Sequence, residues 1–365
     1  MRYLLFLLTV IAVAALAIFL PPHLARRDYR QQLAERPPAI TRNADGSVTL
    51  HNPIAETGQD PYVIALDSNR YLYVYSDHTA ICGKISDNIY DWDKREPAWY
   101  WEGHTGGAAG AGVKAITDFW APEAHRVNGQ WVIYFAANRG EALYKGLHRT
   151  HTLRAVGNDP SKGFEYNGPL DLQEDAFAID ATHLNVSGTD YLVWSGSTAP
   201  GELDQKLYIT ELADAFTPVG ERVLISEPEH DWELRGRRLG LWPSINEGPQ
   251  VLQRGGTTHL LYSASGSWSD HYAFGLLTLQ PGADPLSPAS WTKQPTPFLA
   301  SGNGVLAPGH GHIIGYRGRD YLIYHAAKYS GAGWDREVHL QPVTYGQDGT
   351  PQTEAPWGRS ESLPL

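Results

Sequence analysis

The sequence predicts an all-β fold, a five-bladed β-propeller, preceded by an apolar N-terminal segment. Three observations predict it. The chain carries a five-fold internal repeat, its 37 Gly and 25 Pro imply many turns, and helical periodicity is nearly absent. The repeating unit is an apolar strand, a polar turn and a second, aromatic-rich strand. The units begin at Asp60, Trp120, Asp180, Glu247 and His310, with spacings of 60, 60, 67 and 63 residues. The second strands are Tyr71-Leu72-Tyr73-Val74-Tyr75, Trp131-Val132-Ile133-Tyr134-Phe135, Tyr191-Leu192-Val193-Trp194, His259-Leu260-Leu261-Tyr262 and Tyr321-Leu322-Ile323-Tyr324. Turn residues separate each pair: Asp67-Ser68-Asn69, Asn128-Gly129, Ser187-Gly188, Gly255-Gly256 and Arg317-Gly318. Such a strand–turn–strand unit reads as a hairpin. A period this long accommodates four strands and long loops. Five such units close a ring with no long exposed edge.

The ends of the chain are read differently. Met1-Arg2 leads into an apolar run of 18 residues from Tyr3 to Leu20, closed by Pro21-Pro22. A basic start and an apolar run form the export pattern. The run is close to the minimum for a bilayer span, about 17–25 residues. Residues 1–20 are therefore read as a signal peptide or signal anchor, 21–45 as a linker and 46–365 as the propeller domain. Either reading of the first segment puts the domain outside the cytoplasm, touching a membrane only through that segment.

Composition narrows the function classes. The net charge of −11 argues against nucleic acid and anionic membrane surfaces, which require basic patches. The single cysteine, Cys82, excludes an internal disulfide and a cysteine-rich zinc site. The 12 Trp and 20 Tyr serve a β-rich core, and aromatic faces also bind sugar rings.

The repeat aligns chemistry-bearing residues. Counting back 11 positions from each second strand reaches Asp60, Trp120, Asp180, Gly248 and His310, and a one-residue shift in the fourth reaches Glu247. Equivalent positions around an axis face one central pocket. Three carboxylates meeting there suit glycosidic bond cleavage, which needs an acid for the leaving oxygen and a carboxylate opposite. A gap of about 6.5–9.5 Å between them admits a water and inverts the anomeric centre. A third carboxylate raises the acid's pKa. The same acids with His310 also suit a metal site.

At these residues the sequence resembles glycoside hydrolase family 43, over about residues 50–356. The shared segments are Asn52-Pro53-Ile54 leading to Asp60-Pro61, Phe119-Trp120-Ala121-Pro122-Glu123, Ile179-Asp180-Ala181-Thr182, Asn246-Glu247-Gly248-Pro249, Tyr262-Ser263-Ala264-Ser265, Pro308-Gly309-His310 and Asp348-Gly349-Thr350-Pro351. The resemblance implies Asp60 as general base, Glu247 as general acid and Asp180 as the residue that orients Glu247 and raises its pKa. Substrate-binding positions would be Trp120, Glu123, His310 and Arg336, with Glu123 next in line should Glu247 not be the acid. It further implies that His310 helps hold a structural calcium at the axis through water, while the chemistry needs no cofactor. Gly311-His312 departs from the Asn-Ser that arabinosidase-like members often carry after the axial Gly-His. The stretch Gly275-Leu276-Leu277-Thr278 and Pro288-Ala289-Ser290-Trp291-Thr292-Lys293 looks most like the α-L-arabinofuranosidase branch. The expected partner is an arabinose- or xylose-containing oligo- or polysaccharide, acted on by a monomer. β-Xylosidase, endo-arabinanase, a retaining sucrose-type transferase and a non-catalytic sugar-binding propeller stay open as alternatives.

Overall fold

Each repeat unit begins with a hairpin whose turn chemistry the sequence dictates. In Asn128-Gly129, Ser187-Gly188, Gly255-Gly256 and Arg317-Gly318 both residues have positive φ, between 48° and 90°. That is the tight turn whose twist matches the flanking strands. The first hairpin is looser. There Asp67 accepts from Asn69 N at 2.9 Å and from Arg70 Nε at 2.7 Å. The structure is a computed structural model describing residues 23–103, 116–138, 148–172, 176–236 and 243–365.

Two further strands extend each hairpin. The result is five four-stranded antiparallel sheets in up-and-down order, spanning residues 62–102, 117–169, 178–226, 246–293 and 306–352. Each neighbouring pair of sheets encloses its own hydrophobic core. Trp99, Trp101 and Phe135 pack between sheets one and two, and Tyr134 and Trp194 between two and three. Val193 and Leu277 pack between three and four, and Phe274 and Tyr324 between four and five. Tyr73 and Leu340 close the ring between five and one. This arrangement is consistent with the expected five-bladed propeller. It also explains why the second strands read as near-continuous apolar runs, since both faces of each sheet are covered. Leu72, Val132, Leu192, Leu260 and Leu322 hold equivalent places and are 0% exposed. Each such side chain contributes about 1.5–3 kcal/mol by burial.

The expected linker is corrected in part. Residues 23–35 form a helix, and Ile40–Arg42 pairs with Val48–Leu50. Tyr29 is the one fully buried residue of that helix, and its hydroxyl donates to Glu337 Oε2 at 2.8 Å. Arg359 lies over its ring at 4.9 Å. A single aromatic with a polar tip suffices to dock an otherwise polar helix, which composition alone reads as a linker. The expected signal or anchor, residues 1–20, lies outside the described residues. No helix among the described residues is long and apolar enough to cross a membrane.

Candidate active site

The inner strands of the second to fifth sheets break their ladders, twice in the second and fifth and once in the third and fourth, while that of the first sheet pairs without a break. In the second to fifth sheets the register shifts after Trp120, Ile179, Glu247 and Gly309 and resumes at Glu123, Thr182, Gln250 and His312. Within these four breaks, and just ahead of the first sheet's inner strand, one residue has left-handed backbone: Ala121 (φ 44°), Asp180 (57°), Gly248 (56°) and His310 (39°) in the breaks, and Asp60 (45°) before the strand. The true equivalence therefore runs through Ala121 rather than Trp120. Glu247 and Trp120 sit one residue earlier, at the start of the break. That is the physical origin of the one-residue shift needed to align Glu247. A bulge re-aims side chains, so two successive positions reach the same cavity.

That cavity has a volume of about 310 Å³ and is lined by Asp60, Trp120, Asp180, Glu247, His310 and Arg336, among others. Six of the seven expected site residues thus come together. Glu123 does not line it. It belongs to the next layer down, where Tyr62, Glu123, Thr182, Gln250 and His312 resume the ladders. There it is buried, bonded to His125 Nε2 at 3.0 Å and to the Gln250 amide. Burial pushes its carboxyl up to about 8. The expectation that Glu123 contacts substrate is corrected: two residues past Ala121, where pairing resumes, the strand has carried it out of the cavity lining.

The three pocket carboxylates have different surroundings. Burial works to raise Asp60, but the positive charge of His310 overcomes it and holds Asp60 well below the usual carboxylate range. His310 Nδ1 lies 3.0 Å from Asp60 Oδ1 and 4.0 Å from Asp180 Oδ2. Burial opposes the charge on His310, yet Asp60 and then Asp180 raise it to about 10. The other neighbour, His325, is an acceptor. Its Nδ1 receives the Asp60 backbone N–H at 3.1 Å and faces Arg336 Nη1 at 3.4 Å. Burial, with Arg336 alongside, pushes its pKa down to about 3. A neutral ring accepting at Nδ1 cannot also donate to the Asp60 carboxylate 3.3 Å away. His310 is therefore the donor that keeps Asp60 ionised.

Glu247 is treated in the opposite sense. Burial first, and the neighbouring Asp180 second, push it up to about 7. Its Oε1 accepts from the Tyr272 hydroxyl at 2.7 Å, which leaves Oε2 to carry a proton. Asp180 is also raised by burial, and its Oδ2 accepts the Gly248 N–H at 3.0 Å. One side of the pocket favours a carboxylate and the other a carboxylic acid.

Trp120 is held rigidly. Its Nε1 donates to Asp118 Oδ1 at 2.9 Å, and its ring stacks on His148 with centroids 3.5 Å apart. Asp118 also meets His78 Nδ1 at 3.2 Å and His148 Nε2 at 3.3 Å. Arg336 is anchored by Nη2 to the Ser267 carbonyl at 2.7 Å.

The expected axial calcium, held by His310 through water, has no direct ligand group assembled for it among the described residues. Ca²⁺ takes six to eight oxygen ligands. In the layer below, the carboxyl of Glu123 is already taken by His125 and Gln250. Among the described residues no three His, Cys, Asp or Glu side chains converge as a metal group.

Sequence reasoning missed Tyr272, His325, Asp118 and His148. For His325 a signal existed. Pairing partners at the break are Ala136, Ser195 and Ser263 in sheets two to four, and His325 in the fifth. A histidine at a small-residue position is conspicuous once the register is known. Tyr272 lies at the end of the loop Ser267–Tyr272, where no periodicity marks it.

Comparison with known proteins agrees with this geometry. A family model described as glycosyl hydrolases family 43 matches residues 50–351. An extracellular exo-α-(1→5)-L-arabinofuranosidase of Streptomyces avermitilis is 30% identical over 333 residues, covering 88% of this chain and 66% of the relative. The enzyme of the same description from Streptomyces chartreusis is 29% identical over 299 residues, 80% of this chain and 87% of its own. The crystal structure of an α-L-arabinofuranosidase from Lactobacillus brevis superposes with a TM-score of 0.75 at 29% identity, covering 85% of this chain and 98% of that one. Matched over most of its length, the chain belongs to glycosyl hydrolases family 43.

Proposed function

We propose that this chain is an inverting glycoside hydrolase of five-bladed propeller architecture that acts outside the cytoplasm. It releases terminal α-L-arabinofuranosyl residues from arabinan or arabinose-decorated saccharides. One observation carries the reading: two carboxyls of one pocket are driven in opposite directions, Asp60 toward the ion and Glu247 toward the acid. Such a split assigns base and acid. Asp60 takes a proton from water as the water attacks the anomeric carbon. Glu247 gives its proton to the glycosidic oxygen as that bond breaks. Asp180 adds negative charge beside Glu247 and keeps it protonated near neutral pH. Trp120 offers a fixed aromatic wall to the sugar, and Arg336 and His310 offer cationic donors to its hydroxyls and to Asp60. The printed activities of the relatives support arabinofuranose as the sugar, and their description as extracellular, together with Met1 to Leu20, supports export.

A screen of aryl glycosides, with the first-formed anomer followed by NMR, tests this. Turnover of 4-nitrophenyl α-L-arabinofuranoside with initial release of β-arabinose is expected. Turnover of the β-xyloside alone would overturn the choice of sugar, and initial α-arabinose would overturn inversion.

A further inference from the structure

The strand Trp291–Lys293 is the outermost of the fourth sheet and ends in a buried lysine. The Lys293 side chain is 8% exposed, and its ammonium lies 3.1 Å from Glu233 Oε1 and 3.3 Å from Oε2. Glu233 is 0% exposed and belongs to the connection between the third and fourth sheets. Its carboxylate is filled. Oε1 also accepts from Asn246 Nδ2 at 2.8 Å and from the Tyr262 hydroxyl at 3.0 Å. Oε2 accepts the N–H groups of Glu229 and His230 at 3.0 and 2.9 Å. Neither Lys293 nor Glu233 lines the pocket. Exchanging a buried ion pair for apolar side chains of like size is often neutral or stabilising, so stability is a weak reason for this one. What the pair holds in place is a stronger reason.

Two routes lead from it to Glu247. The first is covalent. Asn246, the residue before Glu247, is 0% exposed, and all its polar atoms are taken. Besides the Nδ2 bond to Glu233, its Oδ1 accepts from Ser226 Oγ at 2.8 Å and lies 3.4 Å from Lys293 Nζ. Its N–H donates to the Gln205 carbonyl at 3.0 Å, and its carbonyl accepts from Ser195 Oγ at 3.0 Å. Glu247 therefore projects from a peptide held on every side. The second route runs through the backbone of Trp232 to Gly236. The Trp232 carbonyl accepts from Ser265 Oγ, that of Glu233 from Ser265 N at 3.1 Å, and that of Arg235 from Gly266 N at 2.9 Å. The Gly236 carbonyl accepts from Trp268 Nε1 at 3.1 Å. These bonds pin the start of the loop that ends at Tyr272, the donor to Glu247 Oε1. One route fixes the backbone of Glu247 and the other its carboxyl oxygen, and both begin at Glu233.

We propose that Lys293 and Glu233 are positioning residues for the general acid, a buried clip outside the pocket that sets where Glu247 presents its proton. The inference rests on the glycosidase reading of the pocket, with Glu247 as the acid. A misplaced proton donor fails a leaving group that needs the proton and matters little to one that does not.

The test is Lys293→Met in the full chain, which keeps the length of the side chain and removes its charge. On α-(1→5)-linked arabinobiose kcat should fall about tenfold to a hundredfold, with KM within about twofold. On a dinitrophenyl α-L-arabinofuranoside, which still needs Asp60 but little protonation, the loss should be about tenfold smaller. Glu233→Gln should give the same pattern. Melting temperature confirms folding. Glu233→Gln combined with Lys293→Met leaves no unpaired charge at the clip, and replaces the single variants if they do not fold. Equal losses on the two substrates, or unchanged turnover of arabinobiose in a folded variant, would overturn the proposal. Wild-type protein inert toward both substrates, by contrast, would overturn the glycosidase reading itself.

Discussion

Glu247, Asp180 and Tyr272 form a set in which two neighbours pull one proton in opposite directions. Asp180 raises the pKa of Glu247 by its charge, and the Tyr272 hydroxyl lowers it by donating to the carboxylate. The acid works only while protonated, so activity should fall as pH rises through about 7. Asp180→Asn removes the negative charge and should move that alkaline limb to lower pH. Tyr272→Phe removes the donor and should move it to higher pH. A pH profile of kcat/KM for both variants checks the pair, and shifts of the same sign would refute the assignment. Glu247→Gln removes the proton altogether. General acid catalysis typically contributes about 10²–10⁴-fold, so natural oligosaccharides should lose that much. A dinitrophenyl arabinoside, whose leaving group needs little protonation, should lose far less. Equal losses would mean that Glu247 is not the acid.

The elements deliver these side chains through the bulges in the inner strands, and glycine at two places makes the delivery possible. A Cβ on Gly309 would lie 2.1 Å from Tyr272 Cε1, and one on Gly311 would lie 2.0 Å from the Ile323 carbonyl. Gly309→Ala should therefore displace the Tyr272 ring and reproduce the pH shift of Tyr272→Phe. Gly311→Ala should instead disturb the strand pairing and destabilise the fold as overpacking does, by about 1–3 kcal/mol, read as a lower melting temperature. Strand pairs and turns were legible in the sequence because both depend on local rules. Aromatic runs mark doubly covered strands, and Asn-Gly or Gly-Gly marks the tight turn. The bulges were not legible, because register is settled by pairing across strands. Glu123 was misplaced for that reason: two residues beyond Ala121, it has already passed below the cavity. Asp118 and His148 were missed because they act through Trp120, and no motif ties a loop histidine to an indole 28 residues earlier.

The ring as a whole joins its first and fifth sheets by side chains and a terminal sheet. Val48–Leu50 pairs with both Ile40–Arg42 and Leu363–Pro364. Asn52 adds a clasp, donating to the Leu340 and Trp357 carbonyls and accepting from Leu340 N. The helix over 23–35 lies outside this clasp and adds the Tyr29 anchor. A chain starting at residue 21 should melt higher than one starting at 46, which lacks Tyr29 and Ile40–Arg42. The longer chain should also resist urea to a higher midpoint. Equal midpoints would show that the helix contributes nothing to the ring. The five-fold plan was readable from spacing alone. The docking of residues 23–35 was not, because one buried tyrosine leaves no periodic trace.

The left-handed backbone at these five pocket-facing positions has an evolutionary cost. That conformation disfavours residues with a Cβ by roughly 1–2 kcal/mol each, least for Asn and Asp, and not at all for glycine. A library randomised at Asp60, Ala121, Asp180, Gly248 and His310, sorted only for folded protein, should fill with Gly and Asn and lose Val and Ile. Asp180→Gly should be more thermostable than the parent, relieved of strain and of a charge that burial disfavours, whereas Asp60→Gly should not, because it leaves the His310 cation buried without its partner. Selection for hardiness would thus steer this fold toward inert descendants, and any breeding scheme must score turnover in the same round.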